Sequence, residues 1–235
     1  MSKNKSGSLD RGRRSFIAQA GLIYGAFGIA TAAGAADEHE EAEVSPAEDL
    51  MREHGVLKRI LLVYRESLRR LDSGGELPPE AIRDSAEIIR SFIEDYHEKL
   101  EEDHLFPRFR KANRLVDLVD VLLAQHQAGR GLTDTALQLA TLESLKNADD
   151  RRMLAQCLRQ FIRMYEPHEA REDTVLFPAF RQIVSPHEYG ALGEEFEEIE
   201  HGRFGEDGFD MMVERVEAIE KKLDIYELSQ FTPKA

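Results

Sequence analysis

Apolar residues in this chain recur at alternating spacings of four and three, and this pattern restricts the fold more than any other feature of the sequence. In the first stretch the alternating positions are Leu50, His54, Leu57, Leu61, Tyr64, Leu68 and Leu71. Residues three and four apart share one face of an α-helix, so the stretch predicts a helix with a single apolar seam. Three further stretches repeat the alternation, and the sequence therefore predicts four long amphipathic helices.

Capping signals predict where these helices begin. They are the capping box Ser45-Pro46-Ala47-Glu48, the run Pro78-Pro79-Glu80, a start near Leu115, and the polar break that begins at Asn147. Long helices with short connections favour an all-α fold, an antiparallel up-down four-helix bundle over residues 45–184. A second Ser-Pro capping signal at Ser185 predicts a C-terminal helical extension over residues 185–235.

Six ionisable residues stand in the seams where leucine or isoleucine would be expected. They are His54, His97, Glu101, His126, His168 and Glu172. A buried carboxylate is costly unless something compensates it, and the stability of a typical domain is only about 5–15 kcal/mol. These groups must therefore satisfy one another or share a strong partner. A metal cation is a partner that accepts imidazole and carboxylate together.

The chain contains one cassette twice. HEKLEEDHLFPRFR begins at His97 and HEAREDTVLFPAFR begins at His168, and both read H-E-x-x-E-x-x-x-L-F-P-x-F-R. Each copy places a histidine and a glutamate one helical turn apart on the same face. Two copies predict two halves of a two-metal centre, with two imidazoles for each ion and both glutamates bridging. The donor types also fit manganese, zinc or a single ion, and a metal-free hydrogen-bond network of histidine and glutamate is the alternative.

Further residues near the level of these donors are candidates for the surroundings of the centre. They are His104, Tyr64, Tyr96 and Tyr165. We interpret His104 as a neighbour of the centre and not as a ligand, because the second cassette carries Val175 at the matching position. A tyrosine can donate a hydrogen bond to a bound oxygen species, and aromatic packing is the alternative.

Composition and charge exclude several classes of protein. The chain has one cysteine, so it forms neither an intramolecular disulfide nor a cysteine-based metal site of its own. Cys157 lies in an apolar helical run, which favours a buried structural thiol over a reactive one. The formal net charge is -14 without a basic stripe, and this argues against binding to nucleic acid.

Residues 1–36 have the composition of an export signal. Arg13 and Arg14 precede an apolar run rich in alanine and glycine, and small residues suited to cleavage end the run near Ala35. The paired arginines resemble a twin-arginine signal, which predicts a periplasmic or otherwise exported protein without membrane contact after cleavage. An uncleaved membrane anchor is the alternative. Residues 37–44 are predicted to be an acidic linker.

The order H…HxxxE…H…HxxxE, with L-F-P after each glutamate, resembles the hemerythrin-like, or HHE cation-binding, domain over about residues 45–184. The resemblance implies a four-helix bundle that holds two non-haem irons bridged by oxide, hydroxide or water. It implies the six seam residues as ligands, with Glu101 and Glu172 as bridges. Members of this family bind dioxygen reversibly, sense oxygen or nitric oxide, handle peroxide, or help to repair iron centres.

One departure from the family pattern bears on function. The oxygen carriers of the family place a further histidine four residues after the one on the third helix, and Arg130 stands there. We therefore expect an exported di-iron protein with an open centre that binds dioxygen, nitric oxide or peroxide as a store, scavenger or sensor. A di-iron redox enzyme that handles peroxide or nitric oxide or repairs iron centres, with an unknown redox partner, is the first alternative. A helical interaction module without a di-metal site is the second.

Overall fold

The computed structural model describes residues 44–206 and 208–233. These residues are all-helical and form no strand. The predicted export signal and the predicted acidic linker up to residue 43 lie outside the described residues. Among the helices described, none combines the length and the apolar character that crossing a membrane requires.

The described residues form seven helices. They are α1 (Pro46–Ser73), α2 (residues 79–111), α3 (Val116–Leu139), α4 (Leu142–Lys146), α5 (residues 148–180), α6 (Pro186–Phe204) and α7 (Gly208–Lys222). A short 3-10 turn follows at Leu228–Phe231. Helix α2 is α-helical over Pro79–Ile88, Glu98–Leu100 and Phe106–Lys111, and π-helical over Ile89–His97 and Glu101–Leu105. Helix α5 is α-helical over Ala148–Arg171 and Phe177–Phe180, with a π-helical turn at Glu172–Leu176 between them.

The capping signals lie at the helix starts that the sequence predicts. The Ser45 hydroxyl accepts a hydrogen bond from the Glu48 N–H at 3.3 Å. The Asn147 side chain accepts hydrogen bonds from the N–H groups of Asp149 and Asp150 at 2.8 and 3.2 Å. These contacts satisfy backbone donors in the first turns of α1 and α5, which have no partner inside the helix.

The predicted seams face one hydrophobic core. Helix α1 packs against α2 and α5, and α3 packs against the same two helices. The α1 seam is buried at Leu50, Leu57, Leu61, Tyr64, Leu68 and Leu71. The α5 seam departs from the prediction at its end, where Val175 is partly exposed and Leu176 is buried. The π-helical turn there holds an extra residue, so the next side chain takes the position that faces the core.

The C-terminal extension packs into the same core. Leu192 and Phe196 of α6 and Val216 of α7 are buried in it. Both helices lie against α1, and α7 also lies against α2. Arg59 of α1 donates two hydrogen bonds to Glu220 of α7, at 3.0 and 2.5 Å. The extension therefore covers one side of the α1–α2 pair.

Cys157 is a buried thiol, as the sequence predicts. Its side chain is 4% exposed, and its Sγ donates to the Leu132 carbonyl at 3.1 Å. Burial raises the pKa of the thiol to about 11. The neutral thiol is a weak nucleophile, so packing explains this residue without a reactive role.

Gly129 allows α3 to approach α5 closely. A Cβ atom at Gly129 would lie 2.1 Å from the hydroxyl oxygen of Tyr165, whereas Gly131 has open space around it. Glycines weaken a helix prediction, yet α3 is unbroken from Val116 to Leu139. Packing against Tyr165 therefore explains why residue 129 is a glycine, but it does not explain Gly131.

We predict opposite effects on stability from Gly129→Ala and Gly131→Ala. The first displaces the Tyr165 hydroxyl and should lower the free energy of unfolding by about 1–3 kcal/mol through overpacking. The second adds a methyl group in open space and restricts the unfolded chain, so it should raise that free energy by about 0.5–1 kcal/mol. Urea titrations at equal metal content measure both changes. A Gly129→Ala variant as stable as the unsubstituted chain would contradict the close packing.

Candidate metal centre

Each cassette contains a widened helical turn that begins at its second glutamate. The N–H of Phe106 donates to the carbonyl of Glu101, and the N–H of Phe177 donates to the carbonyl of Glu172, five residues back in both cases. A proline follows each phenylalanine; it lacks an N–H and crowds the carbonyl four residues before it, so the preceding turn opens. The sequence alone suggests that these prolines kink or end the helices. The wide turns lie just before the prolines, and the two helices end shortly after them, at Lys111 and Phe180.

The six ionisable seam residues converge in the interior. Their side chains are at most 4% exposed. The Glu172 carboxylate lies 3.1 Å from Nε2 of His168, 3.3 Å from Nε2 of His54 and 4.0 Å from Nε2 of His126. Glu172 therefore meets histidines from three different helices.

The four histidine rings form two pairs around the glutamates. The ring centres of His54 and His97 are 4.7 Å apart, and those of His126 and His168 are 5.1 Å apart. Glu101 lies 3.4 Å from Nε2 of His126 and 4.0 Å from Nε2 of His97. Each glutamate thus lies near histidines of both pairs.

Several buried polar atoms of the cluster lack hydrogen-bond partners in the described part of the chain. Both carboxylate oxygens of Glu101 and Glu172, and Nε2 of His126, are buried without a hydrogen bond among the described residues. Such orphaned buried groups are costly. Two sets of donors lie close enough to hold an ion: Glu101, His126, His168 and Glu172, and His54, His97 and Glu101. These donor types fit a transition-metal cation.

Burial and the neighbouring charges shift the pKa values of the cluster residues in different directions. Burial raises the pKa of Glu101 well above its usual range, and the charge of Glu172 adds to this effect. Burial would also raise the pKa of Glu172, but contacts with two histidines outweigh it and hold this pKa below the usual range. Burial lowers the pKa of His97 to about 3 and that of His126 to about 4. Neutral imidazole is the form that binds a metal, so burial prepares these two rings for ligation.

The Nδ1 atom of each histidine, which points away from the centre of the cluster, is within hydrogen-bond distance of a side-chain oxygen from another helix. The Nδ1 contacts are His54 with Asp173 at 2.7 Å, His97 with Glu53 at 2.7 Å, His126 with Glu102 at 3.1 Å, and His168 with Gln125 at 2.9 Å. Partners of this kind fix the orientation and tautomer of metal-binding histidines. They leave every Nε2 atom directed at the centre of the cluster.

Lys58 of α1 contacts two acidic residues of the second cassette that are not among the six seam residues. It lies one helical turn after His54 and donates to Glu169 at 2.5 Å. It also lies 3.6 Å from Asp173, the acid that holds His54. Burial raises the pKa of Glu169, while the Lys58 ammonium opposes this shift. The lysine thus balances negative charge behind the α1 histidine.

Arg130 of α3 has the equivalent place beside the first cassette. It lies one turn after His126, and its guanidinium is 2.8 Å from both Glu98 and Glu102. Glu102 in turn holds Nδ1 of His126. Arg130 stands where oxygen carriers have their further histidine. Its guanidinium contacts Glu98 and Glu102 and supplies no metal donor.

A repeated signal in the sequence marks these partners of the histidines, although the spacing of the proposed ligands does not point to them. Helix α1 reads E-H-x-x-x-K from Glu53, and α3 reads Q-H-x-x-x-R from Gln125. Each cassette also carries an acid directly after its second glutamate, Glu102 in one copy and Asp173 in the other. The duplication therefore extends beyond the cassettes to their partners on α1 and α3.

The phenylalanine of each L-F-P motif packs on a histidine of another helix. Phe177 stacks on His54 with ring centres 5.6 Å apart and an interplanar angle of 22°. Phe106 stacks on His126 at 5.5 Å and 23°. Both phenylalanines are 1% exposed. The motif thus places an apolar ring beside each histidine pair.

Tyr165 is the accessory candidate that the structure places beside the cluster. Its ring centre lies 5.4 Å from that of His168, and its hydroxyl donates to Glu98 at 2.8 Å. Glu98 also contacts Arg130. Tyr165 therefore positions an outer acid as well as packing against a histidine.

The other accessory candidates lie in different surroundings. The Tyr96 hydroxyl donates to Glu200 of α6 at 3.3 Å. The His104 ring also faces α6, with its centre 5.3 Å from that of Phe196. Tyr64 is fully buried in the core. Tyr96 and His104 thus connect α2 to the C-terminal extension.

Comparison with known proteins places the four long helices in a described family. The sequence profile of the hemerythrin HHE cation binding domain matches residues 45–180. Uncharacterized proteins of Mycobacterium tuberculosis and Mycobacterium bovis are 54% identical over 194 residues, which cover 83% of this chain and 76% of each relative. No solved structure matches the chain.

We predict that Glu102→Ala and Asp173→Ala each weaken the binding of a divalent cation about 10–100-fold, because each removes the carboxylate behind a histidine. Asp103 is exposed and adjacent in sequence to Glu102, so Asp103→Ala is the matched control and should leave the affinity unchanged. Titration of the purified chain with Co²⁺ in competition with a chelating dye measures the affinities. Equal affinities in all three variants would count against the orienting role.

Proposed function

The chain belongs to the hemerythrin HHE cation-binding domain family, and on this basis we propose that it holds two iron ions and binds dioxygen, nitric oxide or peroxide as a store, scavenger or sensor. One observation carries the proposal. Six buried imidazole and carboxylate side chains converge, and the outward nitrogen of every imidazole already has a partner. This arrangement reserves the inward nitrogens and the carboxylate oxygens for metal.

We infer that the four long helices form an antiparallel up-down four-helix bundle. Contacts between α1 and α2, α2 and α3, α3 and α5, and α5 and α1 close a ring of four neighbours. The contact between His54, near the start of α1, and Asp173, near the end of α5, supports opposite directions for these two helices. Facing helices of such a bundle commonly build metal sites in its core.

The proposed ligands are two histidine pairs and two shared glutamates: His54 with His97, His126 with His168, and Glu101 with Glu172. The duplicated cassette and the position of both glutamates near both pairs support two ions over one. Four imidazoles and two carboxylates do not fill the coordination of two irons. When bound, the ions supply a redox-active centre with open positions for a small molecule.

The side chains around the centre restrict what can enter. Phe106 and Phe177 cover histidines with buried apolar rings, which disfavours large or charged molecules. The Tyr165 hydroxyl donates a hydrogen bond to Glu98, and Glu98 forms an ion pair with Arg130, one helical turn after the α3 histidine. These contacts support a small, uncharged ligand and a rigid histidine scaffold.

A di-iron redox enzyme acting on peroxide or nitric oxide is the second candidate. Arg130 favours it, because its guanidinium is held by Glu98 and Glu102 where an oxygen carrier has a metal donor. The ion next to His126 then has fewer protein ligands and more open positions. Reversible binding and turnover distinguish the two candidates.

We further propose that the chain is exported to the periplasm. Arg13 and Arg14, with the apolar run and the small residues after them, support a twin-arginine signal. That route carries folded proteins, which suits a protein that acquires its metal before export.

We predict that the purified protein binds two irons per chain and that His97→Ala and His168→Ala lose most of this iron. Each variant removes one proposed ligand from a different histidine pair. His187→Ala is the control, because His187 is exposed in the extension. Iron analysis gives the count, and optical spectra with dioxygen, nitric oxide and peroxide test the ligand. A reversible band supports binding, and catalytic turnover supports the enzyme. Full iron content in both variants would remove the ligand assignment.

We predict that replacing Arg13 and Arg14 together with lysine blocks export. Lysine keeps the charge, so a loss of export would come from the paired arginines and not from the net charge. Fractionation of cells that carry the full chain, followed by immunodetection, measures the distribution. Unchanged export of the double variant would rule out the twin-arginine route.

A further inference from the structure

The surroundings of the two histidine pairs correspond closely, but differ in charge at one equivalent position. A carboxylate contacts Nδ1 of the histidine on α1 and of the histidine on α3. Each of these carboxylates also lies close to a basic residue, which follows the histidine by one turn on the histidine's own helix. Behind the cassette histidines the partners differ, since His97 faces Glu53 and His168 faces Gln125. Glu53 and Gln125 are equivalent, because each directly precedes the histidine of its own helix. One pair thus has a carboxylate where the other has a neutral amide.

Glu53 lies in strongly acidic surroundings. Its side chain is fully buried, and its Oε2 is 2.7 Å from Nδ1 of His97. Carboxylate oxygens of Asp49 and of Glu200 lie within 4.8 Å of Glu53 and of one another. The partner of His97 therefore belongs to a concentration of acidic groups on the side of α1 that the extension covers.

Gln125 has different surroundings. Its side chain is partly exposed, and its Oε1 is 2.9 Å from Nδ1 of His168. The amide oxygen can orient the ring as the carboxylate does, because both accept the Nδ1–H. It carries no net charge, so it cannot offset the charge of a cation on the far side of the ring.

This difference changes how well each histidine binds a cation. A carboxylate that accepts the Nδ1–H makes the imidazole a stronger base at Nε2, and an amide does so less. A carboxylate charge on the opposite side of the ring also attracts the cation directly, and buried charges are screened less than exposed ones. Both effects favour the position next to His97.

We propose that the two metal positions are unequal, with the His54–His97 position binding a cation first and more tightly and the His126–His168 position filling second and exchanging faster. The difference between Glu53 beside His97 and Gln125 beside His168 sets this order. The inference rests on the proposed two-metal centre. It assigns positioning roles to Glu53 and Gln125, since neither is among the proposed ligands.

Exchanging the two partners tests the order of binding. The variants are Glu53→Gln, which leaves an amide behind both cassette histidines, Gln125→Glu, which leaves a carboxylate behind both, and the double exchange. Co²⁺ titrations of the full chain against a competing chelator give two stepwise affinities for each protein. We expect Glu53→Gln to weaken the first step and Gln125→Glu to strengthen the second, each by about 10–100-fold. Both single variants should therefore bring the two steps closer together.

The position that fills first is identified separately. Crystals of the full chain loaded with one equivalent of Co²⁺ give the occupancy of each position from anomalous scattering. We expect the ion beside His54 and His97 in the unsubstituted protein, and beside His126 and His168 in the double exchange. A structural role for Glu53 alone would weaken binding without moving the preferred position.

Three results would overturn parts of this account in distinguishable ways. Two ions with step affinities that both single exchanges leave unchanged would overturn the inference and leave the proposed centre intact. Equal occupancy of both positions at one equivalent would do the same. Failure of the unsubstituted chain to bind two cations would overturn the proposed centre. Glu53 is buried, so the Glu53→Gln variant could fail to fold. In that case the Gln125→Glu variant, at a partly exposed position, tests the inference by itself, because an unchanged affinity of its second binding step would contradict it.

Discussion

The convergence of four imidazoles and two carboxylates in a dry interior is the constraint on which the rest of this structure depends. Glu101 and Glu172 are fully buried, and their oxygens have no hydrogen bonds among the described residues. Such groups are compatible with a folded chain only if a cation compensates them or if they become protonated. The surrounding helices then supply what a cation site needs, namely fixed rings, outer acids and apolar cover.

The repeat in the sequence becomes an approximate two-fold correspondence in space. Each cassette provides one inner histidine and one inner glutamate, and it holds the histidine of a helix from outside its own copy through Glu102 or Asp173. Arg130 and Lys58 then tie these acids to the acid beside each cassette histidine. The two halves of the centre are therefore interlocked, because each cassette orients a ring that belongs to the other pair.

The C-terminal extension is coupled to this arrangement through the α1–α2 side. Glu200 of α6 accepts a hydrogen bond from Tyr96 and lies near Glu53, which orients His97. Arg59 and Glu220 hold α7 against α1. An extension that the sequence presents as an appendage thus contributes groups within two contacts of a proposed metal ligand.

The sequence by itself determined the four long helices, where they begin and most of the faces they bury, because a helix repeats every few residues and its caps are local. The same periodicity put His54, His97, Glu101, His126, His168 and Glu172 on inward faces, and the structure brings all six together. Tertiary structure decided what local spacing cannot express. The π-helical turn within the second cassette moves Val175 out of the core. The partners of the rings are distant in sequence, as with His54 and Asp173 at a separation of 119 residues. Which acid meets which ring depends on how whole helices pack, and no single stretch of the chain encodes it.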